Sequence, residues 1–345
     1  MSKKLFSPEK SFFNMNFLIG PVLLVRFRLG KHLIYLFGDD HSNIANPKGG
    51  VYAIDYKKNK TGGDASKVTI ERFIYELYER ARKQNAYLNL LFEIVPSITP
   101  FTIPIDDSKL KSRFDRILLL LNVYKFEKQG NTTINPVDFR VLGADDGSGN
   151  NQGIALNYFS LFVMLFTDGK YDLIDKTFPV NEPEWDIKLL KDTLLDGIFE
   201  RKEIPNQYQK AFEDVKDLNG YVQAKYFKDL PHEGLKDLIR DLIDKKVISI
   251  WQDYLDFRKG GEEKKILTQK IAAVHMWFMD IPAFCVLMEK VTPRPGLTVG
   301  YYGAEHVTNI LPLIARLDPY FTVHAAGCEG LDLPMDIREE LMEFI

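Results

Sequence analysis

The chain has 345 residues, 45% of them hydrophobic, enough to bury a large core in one elaborated domain or in two. Its 45 basic and 48 acidic residues are mixed along the sequence and leave a formal charge of −3, so there is no electrostatic footprint for nucleic acid or an anionic membrane. Two cysteines, Cys285 and Cys328, stand at no metal-ligand spacing and fit buried thiols in a reducing, intracellular compartment better than a disulfide scaffold.

The apolar stretch from Phe12 to Phe27 is interrupted by Asn14, Asn16 and Pro21 and has no small-residue cleavage site after it. It reads as a strand feeding the domain, with neither a signal peptide nor a membrane span expected. Val22 to Phe27 and His32 to Phe37 are β-rich runs around Gly30, a hairpin whose second strand leads into Gly38-Asp-Asp-His41. Residues 46–67 are polar and glycine-rich, a surface loop. From Thr69 to Lys83, Ile70, Phe73, Ile74, Leu77 and Ala81 recur at helical spacing. Tyr87 to Val95 is a central buried strand interrupted by Glu93, Lys109 to Phe126 a helix, and Phe139 to Gly143 a further strand ending at Ala144-Asp-Asp146.

This alternation predicts an α/β fold with a central, largely parallel or mixed sheet and flanking helices. From Ile154 to about Lys290 the pattern turns almost wholly helical, without strand-like alternation, over Ile154 to Phe166, Asp186 to Phe199, Gln207 to Asp217, Leu235 to Phe257 and Glu262 to Lys290. The expectation is one domain over 1–345, with 150–270 as a helical insertion or cap. The last of those helices is apolar nearly all round and is expected to be buried. The sheet then resumes with Leu297 to Tyr302, followed by Gly303-Ala-Glu-His306 and a helix from Val307 to Leu317.

Ligands of parallel α/β sheets bind beyond the carboxyl ends of the strands. Four such ends carry His41, Glu93, Asp145 or Asp146, and His306. Composition gives about 0.4 chance Gly-x-x-His matches in a chain of this length. Two matches are therefore unremarkable by number, and what raises them is that both follow strand-like runs. Gly38 and Gly303 are expected to let the chain turn sharply off the strand. Two imidazoles and a carboxylate suit either metal binding or proton transfer at a polarised carbonyl. Each histidine has a structural alternative, capping a helix or bonding a carbonyl. A carboxylate within LLFEIV needs a partner or a task, the structural alternative being an ion pair with a residue such as Arg140. Asp145 and Asp146 read equally well as turn formers. Asp39 and Asp40 are placed to orient His41, or to favour a helix N-terminus. Asp280 reads as a supporting residue or a buried hydrogen-bond anchor. His275 is assigned to the core, and His32, His232 and His324 have no supporting context. A Walker A loop, a Gly-x-Ser-x-Gly elbow, a His-Glu-x-x-His motif and a Cys-x-x-Cys pair are all missing from the sequence.

LFGDDH, LLFEIV, FRVLGADD and YYGAEH together resemble the motif series of the superfamily containing the erythromycin esterases, the ChaN-type haem-binding proteins and the TraB and Tiki proteins. The resemblance covers about half of the chain, residues 32–103, 137–146 and 270–317, and looks greatest to members encoded by large DNA viruses. It implies His41, Glu93 and His306 around one pocket, with metal-dependent peptidase chemistry as in Tiki proteins or ester hydrolysis as in erythromycin esterases. Where the family commonly carries an Arg-Asn pair, this chain has Met279-Asp280.

The resulting expectation is hydrolysis of acyl bonds in a small-molecule or peptide substrate. His41 and His306 would hold a divalent metal (Mn, Co or Zn) or the reacting carbonyl, and Glu93 would activate water. Gly38, Gly303, Asp40, Asp145, Arg140 and Asp280 would support the site. Two alternatives are a metal- or haem-binding protein without catalysis, and a viral structural or host-interaction protein with a retired site. The setting would be intracellular, in host cytoplasm or virion, and the oligomeric state is left open.

Overall fold

A computed structural model describes residues 15–40, 67–93, 131–138, 141–145, 151–155, 158–177, 246, 249–290, 294–325 and 330–344. They fall into two compact units, each described by itself: 15–93, 131–135 and 290–344 in the first, and 136–289 in the second.

The first unit is built on a six-stranded mixed sheet. β2 (Pro21–Leu29) and β3 (His32–Asp39) form the expected antiparallel hairpin, turning through Gly30 at φ +62°, a left-handed conformation that glycine adopts without strain. After β1 (Phe17–Ile19) and β4 (Lys67–Thr69), helix α1 (Ile70–Gln84) leads to β5 (Leu88–Phe92). β6 (Thr132–Pro136), β9 (Gly296–Gly303) and β10 (Thr322–Ala325) complete the sheet in the order β10-β2-β3-β9-β5-β6. β9 is parallel to both β3 and β5, and every residue of β3, β5 and β9 is buried. Full burial is what the near-continuous apolar runs LIYLF and LNLLF require of strands covered on both faces. β1 also belongs to a small sheet, between β4 and β11 (Gly330–Asp332).

Side chains alternate across a strand, so Tyr35 and Phe37 share one face of β3 while Gly38 lies on the other. On the first face α1 packs by an edge-on contact of Phe73 with Phe37, centroids 5.5 Å apart. There too α7 (Met335–Phe344) is fastened by Glu340, which accepts from Arg26 at 2.6 and 2.8 Å and also from Arg28 and Tyr35. Burial alone would push the Glu340 carboxyl upward, but these donors outweigh it and hold its pKa at about 2. On the opposite face α6 (Ala304–Leu317) runs back from the end of β9.

In the second unit β7 (Val141–Asp145) pairs antiparallel with β8 (Asn151–Ala155) in a separate two-stranded sheet. This corrects two sequence expectations: β7 is not a strand of the parallel sheet, and residues 151–155 form a strand where a turn and the start of a helix were expected. Five residues rich in Gly, Ser and Asn join the two strands, and so short a connection favours local hairpin pairing over a crossover. Helix α2 (Tyr158–Thr167), α3 (Tyr171–Thr177) and α4 (residues 249–258) enclose an aromatic core. Phe162 meets Tyr254 at 5.3 Å between centroids, Tyr171 meets Phe257 at 5.3 Å, and the Tyr254 hydroxyl donates to Asp175 at 2.8 Å. α5 (Lys264–Lys290) spans the expected helix, and among its described side chains those from Trp277 to Met288 are all buried. Before that Leu267, Ile271 and Val274 form one covered stripe, while Ala272 and Ala273 face solvent. The helices expected over 109–126, 186–199 and 207–217 lie outside the described residues. Among the described residues no helix is long and apolar enough to cross a membrane.

Candidate functional site

Register alone brings three strand ends together. Gly38 and Asp39 of β3 stand beside Tyr302 and Gly303 of β9, and Phe92 of β5 stands beside Tyr301. The next residue, Glu93, continues that pairing by donating its N–H to the Tyr301 carbonyl at 3.2 Å. The carboxylate expected to be anomalous in its apolar run therefore lies at the carboxyl edge of the parallel strands, where the chain turns from β9 into α6.

Both oxygens of Glu93 are engaged. Oε2 accepts the Gly303 N–H at 2.6 Å, and Oε1 lies 3.1 Å from His306 Nε2. The two side chains are 10% and 6% exposed, so the pair is shielded from bulk water and its electrostatics are only weakly screened. Gly303 is the N-cap of α6 and makes no side-chain cap, which leaves the first turn to be balanced electrostatically by Glu93 from another strand. His306 sits three residues into the helix, on its first turn, and so returns over the strand ends.

The glycines of the two motifs act differently from the expectation. Neither has a positive φ; Gly303 is extended at φ −60° and ψ 144°. Gly38 serves close approach instead, because a Cβ there would come within 2.7 Å of the Ala304 Cα. Its bare backbone lets the first turn of α6 lie directly on β3. On the other face Asp39, 2% exposed, accepts the Tyr301 hydroxyl at 2.6 Å. Asp39 is thus tied into the sheet, a bond beyond the two expectations of orienting His41 or favouring a helix N-terminus. Asp40 is half-buried immediately after it.

His41 and Arg140 lie outside the described residues. The partners of Glu93 include Gly303 and His306. Asp145 ends β7 opposite Asn151, and Asp280 is 1% exposed on α5, both within the second unit. His275, assigned to the core, is half-buried, and His324 is a half-buried residue of the edge strand β10.

One polar residue that the sequence gave no reason to single out is His32, which is wholly buried. Its Nε2 pairs with Thr298 Oγ1 at 2.7 Å. Asn89 Nδ2 donates to the same oxygen at 3.3 Å, and Thr133 donates to Asn89 Oδ1 at 2.6 Å. This polar line crosses β3, β9, β5 and β6 at the amino end of the parallel strands, opposite the Glu93–His306 edge. Burial lowers the His32 pKa to about 4. The partners lie up to 266 residues apart in sequence, which hid the line from any local pattern.

Among the described residues no group of three His, Cys, Asp or Glu is placed to hold a metal ion. Glu93 and His306, bonded to each other, fall short of the three or four protein ligands a metal centre takes. The chemistry they support through their own atoms is proton transfer by an oriented imidazole. No family model, curated protein or solved structure matches the chain.

Proposed function

We propose that the Glu93–His306 edge is the catalytic centre of a hydrolase acting on acyl bonds, ester or peptide. The observation that carries the proposal is the buried contact of 3.1 Å between Glu93 Oε1 and His306 Nε2 at the carboxyl ends of parallel strands. With the Nε2 proton directed to Glu93, the basic lone pair of the imidazole is on Nδ1. In this mechanism Nδ1 removes a proton from water as the water attacks the acyl carbonyl, Glu93 stabilises the imidazolium that forms, and the imidazolium returns the proton to the alcohol or amine that departs as the acyl bond breaks. The developing oxyanion is received by backbone N–H groups in the first turn of α6, whose N-cap glycine supplies no capping side chain. The assignment of Glu93 as an orienting carboxylate replaces its expected role as the water-activating base, because both of its oxygens are already engaged.

Kinship with the erythromycin esterase, ChaN and Tiki superfamily belongs to the same proposal. So does an intracellular setting. Glu93→Gln tests the mechanism. The amide would donate to Nε2, force the proton onto Nδ1 and remove the base, lowering kcat on a chromogenic ester or peptide panel by about 10² to 10⁴-fold with the far-ultraviolet circular dichroism unchanged. Unchanged turnover would refute it. A second reading is favoured by the full engagement of Glu93, which ties β5 to α6 as a structural lock would: a non-catalytic binding or host-interaction protein. Wild-type protein inactive across the panel, with Glu93→Gln lowering Tm, would select that reading.

A further inference from the structure

Glu71 is 1% exposed, and among the described residues neither of its carboxylate oxygens has a hydrogen-bond partner. It lies in the first turn of α1, whose N-cap is Thr69, with Thr69 Oγ1 accepting the Arg72 N–H at 3.4 Å. The basic residues nearest in sequence are directed elsewhere: Arg72 binds Glu76 at 2.8 Å, and Lys67 lies over the Phe17 ring. The amino end of a helix compensates a carboxylate by a fraction of what a direct donor supplies, so a buried Glu71 remains costly without a donor.

Topology fixes where this carboxylate stands. β4 is parallel to β1 and pairs Thr69 with Ile19; two residues later Pro21 of β2 pairs with Asp39, which is beside Gly303. α1 therefore begins at the edge where β3, β5 and β9 end, and it runs back to deliver β5 at the opposite edge. Phe73, one residue beyond the first turn, touches Phe37, two residues before Asp39. Glu71 thus stands at the same strand-end edge, on the α1 face of the sheet with Asp39, across from the α6 face that carries His306.

We propose that Glu71 is a substrate-recognition residue at this edge, taking the ammonium or guanidinium group of a cationic acyl substrate. A carboxylate with both oxygens lacking donors matches a ligand that presents two or three N–H groups and a positive charge together. The inference rests on the strand-end edge being a ligand site, and it narrows the acyl substrate to a positively charged class.

The test measures binding, so it is independent of turnover. Calorimetric titration of the full chain with butylguanidinium, and with butylurea as its uncharged isostere, is run on wild type, Glu71→Gln and Glu71→Asp at one ionic strength. The expected result is at least tenfold tighter binding of butylguanidinium than of butylurea by wild type. Glu71→Gln should lose that preference and Glu71→Asp should keep it at reduced affinity. Ligand-free Glu71→Gln should also melt a few degrees higher than wild type, because an amide costs less than a carboxylate to bury without a partner. Equal affinity for the two probes, binding of neither, or a preference that survives in Glu71→Gln would overturn the assignment, as would a lower Tm for Glu71→Gln. Failure of the hydrolase reading would appear separately, as wild type that prefers the cation yet turns over no ester or peptide.

Discussion

Acidification should destabilise the first unit through His32 before Glu340 contributes. Its ring is fully buried, with Nε2 on Thr298 Oγ1 and Nδ1 lacking a partner. Space is so tight that a Cβ on Gly296 would fall 2.5 Å from Nδ1. Burial holds the folded pKa at about 4, while the unfolded chain titrates near the ordinary value of 6.5. The folded pKa is thus the lower one, so stability is complete above pH 6.5. Below it the unfolded state binds a proton that the folded state refuses, and stability declines until the folded histidine also titrates near pH 4. The difference corresponds to roughly 3 kcal/mol. Urea denaturation at pH 7, 6, 5 and 4, wild type beside His32→Gln, isolates this contribution. Glu340 is common to both proteins and loses its own contribution mainly below pH 4.5. Wild type should lose about 3 kcal/mol more than His32→Gln between pH 7 and 4; parallel pH profiles would refute the reasoning.

Other outcomes follow from the same packing. Glu340→Ala should lower stability by about 2 to 3 kcal/mol, because it strands Arg26 and Tyr35, while the pairing with half-exposed Arg28 adds little; thermal melts check it. Raised above pH 4.5, wild type should keep this contribution in full and lose it as the pH falls toward 2. Gly38→Ala should drive α6 off β3 at about 1 to 3 kcal/mol, read as a lower Tm, since Ala304 begins the helix that carries His306. Tyr254→Phe should lower stability by about 1 kcal/mol through loss of the bond to Asp175, read by denaturant midpoint.

What the sequence reveals and what it hides divide by the range of the interaction. The β2–β3 hairpin was legible from Gly30 between two alternating runs, and α1 from its apolar stripe after Thr69. Glu93 stood out because a charge in LLFEIV has few inexpensive explanations, and His306 because it follows a strand-like run. That Glu93 would meet His306 was implied by the motif resemblance alone, since pairing across more than two hundred residues leaves no local trace. β7 was misplaced for the opposite reason: its partner is local, but Asn151–Ala155, rich in polar residues and glycine, does not read as a strand. β10, β11 and β1 are three or four residues long, below the length at which alternation can be seen. Glu71 escaped because an acidic residue in a first helical turn is ordinarily unremarkable.

β9 occupies the slot between β3 and β5, though it comes from residues 296–303 and its neighbours from the first hundred. During synthesis the chain must therefore hold two apolar strands apart, with facing edges unpaired, until some two hundred further residues have emerged. Closure of the sheet, assembly of the Glu93–His306 pair and burial of the polar line at His32 become one late event. An interrupted chain ending before Gly296 would thus be left with two adhesive edges and no site, a species suited to chaperone capture or aggregation rather than partial activity.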